Sequence, residues 1–127
     1  MSFTKIFSGE TQVFKIAENE LFLAFLEPEP IVLGHTVVLP KESGGYIFEM
    51  EQESFLALHL FAKQVAIKLK KGVNCKKVGL SVVGLVEPHT HLHLIPLQKA
   101  TDMNFSSPRL KPTSDQLHSL YTAILQS

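Results

Sequence analysis

From Glu51 to Lys71 the apolar residues Phe55, Leu58, Ala62, Val65 and Leu69 recur every third or fourth position, the spacing of one face of an α-helix. No other interior stretch keeps that period for so long. Glu51 and Glu53 stand where the first turn begins, Lys68, Lys70 and Lys71 occupy the last, and Gly72 follows, so the charges oppose the helix dipole and glycine supplies the stop. The flanking segments are short and rich in aromatic and β-branched residues, as strands are. One long helix set among strands, without regular strand–helix alternation, predicts an α+β fold with an antiparallel sheet of about five strands.

The strands are bounded by turn residues. QVFKIA (residues 12–17) and LFLAFL (21–26) are separated by Glu18-Asn19-Glu20 and read as a hairpin. Glu27-Pro28-Glu29-Pro30 ends the second run, because proline cannot donate to a sheet ladder. A third strand, His35–Leu39, stops at Pro40, and Gly44-Gly45 marks a turn. Further strands are expected over 77–86 and 90–95. Thr113 and Gln116 have capping-box spacing, and Leu117, Leu120, Tyr121 and Ile124 give a C-terminal helix its apolar face. No repeat or linker divides the chain, which reads as a single domain over residues 1–127.

Composition narrows the partners. The chain has 127 residues with 12 basic and 12 acidic side chains, formal net charge zero, which gives no electrostatic footprint for nucleic acid or an anionic membrane and favours a small ligand. Cys75 is the lone cysteine, so no internal disulfide is expected and a reducing compartment fits. With neither a signal-peptide run nor a membrane span in the sequence, a soluble, cytoplasmic protein is expected. A second helical stripe, Leu56, Leu60 and Ile67, lies off the first. It is covered either by the domain's own loops or by a second copy of the chain, and a homodimer is the expected outcome.

Three of the six histidines fall within five residues, in Glu87-Pro88-His89-Thr90-His91-Leu92-His93-Leu94-Ile95-Pro96. On a strand His89, His91 and His93 share one face, while Thr90, Leu92 and Leu94 share the other and supply the core side. Three roles are open to such a row. As a metal site it is poorly spaced: residues two apart on a strand lie ~6.6 Å apart and four apart ~13 Å, whereas nitrogens around one zinc ion lie ~3.3 Å from one another. A third ligand would come from His35, His59 or an acid. As a catalytic strip it suits phosphate esters, since neutral imidazole is a nucleophile and protonated imidazole grips anions. As a plain polar strand it has no chemistry, a reading that three histidines in register make less comfortable.

The run His89-Thr90-His91-Leu92-His93-Leu94-Ile95 resembles the motif of the histidine-triad (HIT) family, with Thr90 at a position usually apolar. Ala24-Phe25-Leu26-Glu27-Pro28 is similar to that family's AF-D-x-x-P element, Gly34-His35-Thr36-Val37-Val38-Leu39-Pro40-Lys41 to its GHTLVIPK strand, and Ile6-Phe7-Ser8-Gly9-Glu10 to its opening. The matches run in the family's order from about residue 3 to 97. The resemblance implies a HIT-like fold whose sheet is completed across a homodimer. It also implies hydrolysis of nucleoside phosphoramidates or dinucleoside polyphosphates at the α-phosphate, through a covalent nucleotidyl-histidine and with no cofactor or metal. A purine nucleotide would be the ligand. By the same resemblance His91 is the nucleophile, His93 contacts phosphate or assists the leaving group, His89 acts one shell out, and His35 completes the cluster. Glu27 stands in for a ribose-binding aspartate, and Phe3, Ile6 and Phe25 fall where the family lines its base pocket.

The segment ahead of the triad departs from the family's N-x-G-x-x-x-G-Q-[ST]-V-x-H pattern. Here it reads Ser81-Val82-Val83-Gly84-Leu85-Val86-Glu87-Pro88, keeping Gly84 and offering Ser81 for the asparagine. Glu87 adds a negative charge beside an anion site, to be offset by a cation such as Lys41 or Arg109. Two further functions are therefore carried alongside catalysis: a nucleotide-binding regulator with little turnover, and a histidine-rich metal-binding domain. Two readings fit Lys99–Pro112: Asp102, Asn104 and Arg109 close over the site, or, the preferred one, the segment is a connector to the last helix.

Overall fold

A computed structural model describes residues 3–42 and 45–127. A short helix α1 (Phe3–Phe7) precedes strands β1 (Lys15–Glu18), β2 (Phe22–Leu26) and β3 (Thr36–Pro40). The long helix α2 (Gln52–Gly72), strands β4 (Lys77–Ser81) and β5 (Leu92–Leu97), and helix α3 (Ser114–Leu125) follow. Every pairing is antiparallel, in the order β1-β2-β3-β5-β4, so the α+β expectation with five strands holds.

Local chemistry sets these elements. Asn19 turns the first hairpin by accepting the Leu21 and Phe22 amides on Oδ1 at 2.9 and 2.8 Å, the Asx turn that asparagine favours. At α3, Gln116 N–H donates to Thr113 Oγ1 and Thr113 N–H to Gln116 Oε1, at 3.1 and 2.7 Å, closing the expected capping box. None of the helices in the described residues is long and apolar enough to cross a membrane.

The sheet separates two apolar layers. Phe22, Ala24, Leu26, Val38, Leu92 and Leu94 meet Leu58, Ala62, Val65 and Leu69 of α2, whereas the alternate residues Leu23, Phe25, Val37 and Leu39 meet Phe3 and Ile6 of α1. The period-two alternation of the central strands thus builds both cores, and the histidines project on the α1 side.

Two strand limits need correction. β4 ends at Ser81 and does not run to Val86; residues 82–86 are exposed and outside the sheet, because their apolar side chains have no layer to pack against. β5 is Leu92–Leu97, displaced two residues from 90–95, so His89 and His91 approach the strand and only His93 lies within it. The opening segment folds as α1, whose five residues are too short for a periodicity to register. Of the expected Gly44-Gly45 turn, Gly44 lies outside the described residues, while Gly45 takes φ 65°, a left-handed conformation suited to glycine.

Candidate active site

His93 is placed by the sheet. It pairs with Val37 across β3 and with Ser81 across β4. His35, immediately before β3, lies beside it with its Nε2 2.9 Å from His93 Nδ1. The His91 ring follows, 4.8 Å from that of His93. Three of the four expected catalytic histidines therefore converge. The fourth, His89, turns aside and donates through Nε2 to the Pro40 carbonyl at 2.7 Å, its ring 5.6 Å from both Phe3 and Phe7.

The hydrogen bonds fix which nitrogen carries each proton. Ile31 N–H donates to His35 Nδ1 at 3.3 Å, which leaves the His35 proton on Nε2, donating to His93 Nδ1. His93 must then carry its own proton on Nε2. His91 Nδ1–H donates to the His89 carbonyl at 2.8 Å, so its Nε2 keeps a free lone pair. A backbone amide thus determines, through two rings, that His93 offers an N–H donor, and a backbone carbonyl determines separately that His91 offers a nucleophilic nitrogen.

Burial keeps these rings neutral. It is the principal cause holding the His35 imidazole down at about 3 and that of His93 at about 4, and it also lowers His91, partly opposed by the bond to the His89 carbonyl. Phe105 seals the pair, with its ring 4.8 Å from His93 and 6.2 Å from His35. The expectation that protonated histidines grip the anion is corrected accordingly: near neutral pH the rings supply lone pairs and N–H donors. Among the described residues the one Lys or Arg lining the cleft is Arg109.

The cleft, about 320 Å³, is walled by Phe3, Glu27, Val37, His91, His93 and Phe105, with Val83–Glu87 at its rim. Of the expected base-pocket residues only Phe3 reaches it, edge-on to His91 at 5.0 Å; Ile6 and Phe25 lie beneath as core. Gly84, at φ 64°, is on the rim. Ser81 shares the His93 face of the sheet yet does not line the cleft. Glu27 does, with Oε2 accepting the Glu29 amide at 3.1 Å and with burial as the main influence raising its carboxyl. Lys41 is committed elsewhere, 2.8 Å from Glu18. Phe105 and Arg109 are functional candidates that lie inside the expected connector, whose sequence has no period to advertise them. Asp102 and Asn104 serve local turns, accepting the Gln98, Lys99 and Ser106 amides. Among the described residues no three His, Cys, Asp or Glu side chains are grouped to hold a metal ion.

Comparison with known proteins gives the family. The HIT domain model matches residues 8–100. An uncharacterized HIT-like protein of Mycoplasma genitalium is 37% identical over 99 residues, covering 74% of this chain and 70% of its own length. The adenosine 5'-monophosphoramidase hnt1 of Schizosaccharomyces pombe is 32% identical over 95 residues, covering 74% and 71%. Among solved structures, a hypothetical histidine triad nucleotide-binding protein of Sulfolobus tokodaii superposes with a TM-score of 0.84 at 26% identity, covering 98% of this chain and 89% of that one. With the ordered histidine cluster, the sheet topology and these matches in agreement, the chain belongs to the HIT domain family.

Proposed function

We propose that the protein hydrolyses nucleoside phosphoramidates or dinucleoside polyphosphates at the α-phosphate, with His91 as nucleophile. The observation that carries this reading is the proton arrangement: His91 presents an unprotonated Nε2 beside the Nε2–H of His93. The His91 Nε2 lone pair attacks the α-phosphorus, forming an N–P bond as the bond to the leaving nitrogen or oxygen breaks. The leaving group departs with that electron pair and takes its proton from solvent. The phosphorylated ring is cationic, and its Nδ1–H bond to the His89 carbonyl becomes charge-assisted. Water then displaces phosphorus from Nε2, releasing a proton to solvent as its oxygen bonds phosphorus; the N–P electrons return to His91, and the nucleotide leaves with the water's oxygen. His93 donates to a phosphoryl oxygen, and Glu27 accepts from the ribose hydroxyls. The monophosphoramidase named among the relatives supports this class of substrate.

Incubation with adenosine phosphoramidate should yield AMP, and His91→Ala should reduce kcat/KM about 1,000-fold or more. Equal rates for the two proteins would overturn the proposal. The nucleotide-binding regulator remains a second reading because Glu87 and the apolar Val83, Leu85 and Val86 occupy the rim where a phosphate site wants donors; calorimetry that finds AMP bound with undetectable turnover selects it.

We further infer a homodimer, supported by the stripe Leu56, Leu60 and Ile67, which is 57%, 58% and 49% exposed. Two α2 helices crossing antiparallel about a two-fold axis between Leu60 and Lys63 set Leu56 against Ile67 and Glu53 against Lys70, joining apolar contact to charge pairing. Sedimentation should show a dimer that Leu60→Glu converts to monomer; a monomeric wild type would sink the assignment.

A further inference from the structure

Arg109 belongs to the segment after the last strand, yet it is bound to the turn that follows β2. Its Nη1 donates to the Glu29 carbonyl at 2.8 Å, and Leu110 N–H donates to the Pro30 carbonyl at 2.8 Å. The same guanidinium nitrogen stands 3.9 Å from Glu27 Oε1, too far for a hydrogen bond and close enough for a strong electrostatic pull. Glu27 Oε2 is occupied by the Glu29 amide, so Arg109 and the Glu27–Glu29 turn form one bonded unit on the cleft wall.

A carboxylate in this position faces two opposing demands. To accept hydroxyl protons it must be ionised and fixed; its side chain is only 14% exposed, and burial favours the neutral acid, which accepts less well. Glu29 adds negative charge beside it and Glu87 lines the same cleft, while His35, His91 and His93 are held neutral and contribute no cation. Against this stand the Glu29 amide bond and, among the described side chains, the Arg109 charge. The glutamate also has one methylene more than the aspartate it replaces, and hence one more rotor to restrain. Tethering Glu29 from outside limits where that longer side chain can go.

We propose that Arg109 is the positioning residue that makes this site selective for ribonucleotides, by holding Glu27 where its carboxylate oxygens accept the 2'- and 3'-hydroxyls of the sugar. This rests on the nucleotide reading of the cleft and extends it to a residue outside the triad and its neighbours. The discrimination comes from the 2'-hydroxyl: a deoxy sugar leaves one carboxylate lone pair without its donor.

The test compares kcat/KM for adenosine and 2'-deoxyadenosine phosphoramidates in wild type, Arg109→Ala, Arg109→Lys, Glu27→Gln and the Arg109→Ala/Glu27→Gln double variant. Wild type should favour the ribose substrate about ten- to a hundred-fold, the range of one hydrogen bond to a charged group. Arg109→Ala should bring the two substrates toward parity, mainly through KM for the ribose substrate, and the loss should deepen as pH falls because Glu27 is then protonated more readily. Arg109→Lys should recover part of the preference and of the pH profile. In the Glu27→Gln background the arginine replacement should leave the ratio unchanged. The proposal is overturned if Arg109→Ala keeps the wild-type ratio, if it lowers both substrates equally, or if its effect persists undiminished in Glu27→Gln; hydrolysis itself would stand in each case. A wild type that neither cleaves nor binds either substrate removes the nucleotide reading and this proposal together.

Discussion

At the residue scale the site depends on which nitrogen of each ring is protonated, and that is a matter of burial as much as of bonding. Phe3 lies edge-on to His91 at 5.0 Å and is one of the apolar groups that lower the His91 imidazole below its ordinary 6.5. A nucleophile with a depressed pKa stays unprotonated into mildly acid solution. The acid limb of a kcat/KM–pH profile should therefore lie below 6.5 in wild type, and Phe3→Ala, by admitting water, should move it upward. A limb that stays put on removing Phe3 would show that burial by the ring's other neighbours, not this phenyl wall, lowers it. Much of this cluster was legible beforehand, since His91, His93, His35 and Glu27 stand in recognisable local contexts, whereas nothing in the sequence set His89 apart as the one that turns aside. Arg109 was legible only as a cation near the site, and Phe105 not at all, because both reach the cleft through a segment with no hydrophobic period, and the bond from Arg109 to Glu29 spans 80 residues of sequence.

At the element scale the long helix was read correctly from its core stripe, and α3 from its capping box, because both signals repeat or close within a few residues. Strand limits were harder. Val82, Val83, Leu85 and Val86 have the composition of a strand, but pairing is decided by a partner, and β5 extends to Leu97 opposite Lys77 while β4 stops at Ser81 opposite His93. Gly72 shows a similar conflict between local and distant forces. By intrinsic propensity an alanine near the end of α2 would be better than glycine by about 1 kcal/mol. A Cβ there would lie 2.5 Å from the Ile124 backbone Cα and 3.0 Å from the Ala123 carbonyl oxygen, so α3 would have to move. Gly72→Ala should consequently lower the thermal midpoint despite its better propensity, by the ~1–3 kcal/mol typical of overpacking; a rise in midpoint would mean that α3 shifts at little cost.

At the scale of the whole molecule the histidine cluster is also part of the folding equilibrium. His35 and His93 are 0% and 7% exposed, with imidazoles at about 3 and about 4 in the folded chain against 6.5 for the ordinary group. Between those values the unfolded chain binds protons that the folded one refuses. Their contribution to stability is thus fully present above pH 6.5 and is lost progressively as pH falls, until the folded rings themselves titrate. Each group adds up to about 1.4 kcal/mol per pH unit across the window. His91, also lowered, adds to this loss. Glu18 and Asp102, whose carboxyls are lowered, act below 4.5 and 3.8, and Glu27, whose carboxyl is raised, works in the opposite direction. Denaturant unfolding at successive pH values should therefore show stability falling steeply from pH 6.5 toward 5, before the exposed carboxylates titrate. Replacing His35 by leucine should lower stability near neutral pH, through the unpaired Ile31 amide and His93 Nδ1, yet make the slope shallower by about one group's worth, so that the difference from wild type narrows as pH falls. An unchanged slope would place the proton uptake elsewhere and would undo the claim that these two rings stay neutral, on which the nucleophilic nitrogen of His91 and the donor of His93 both depend.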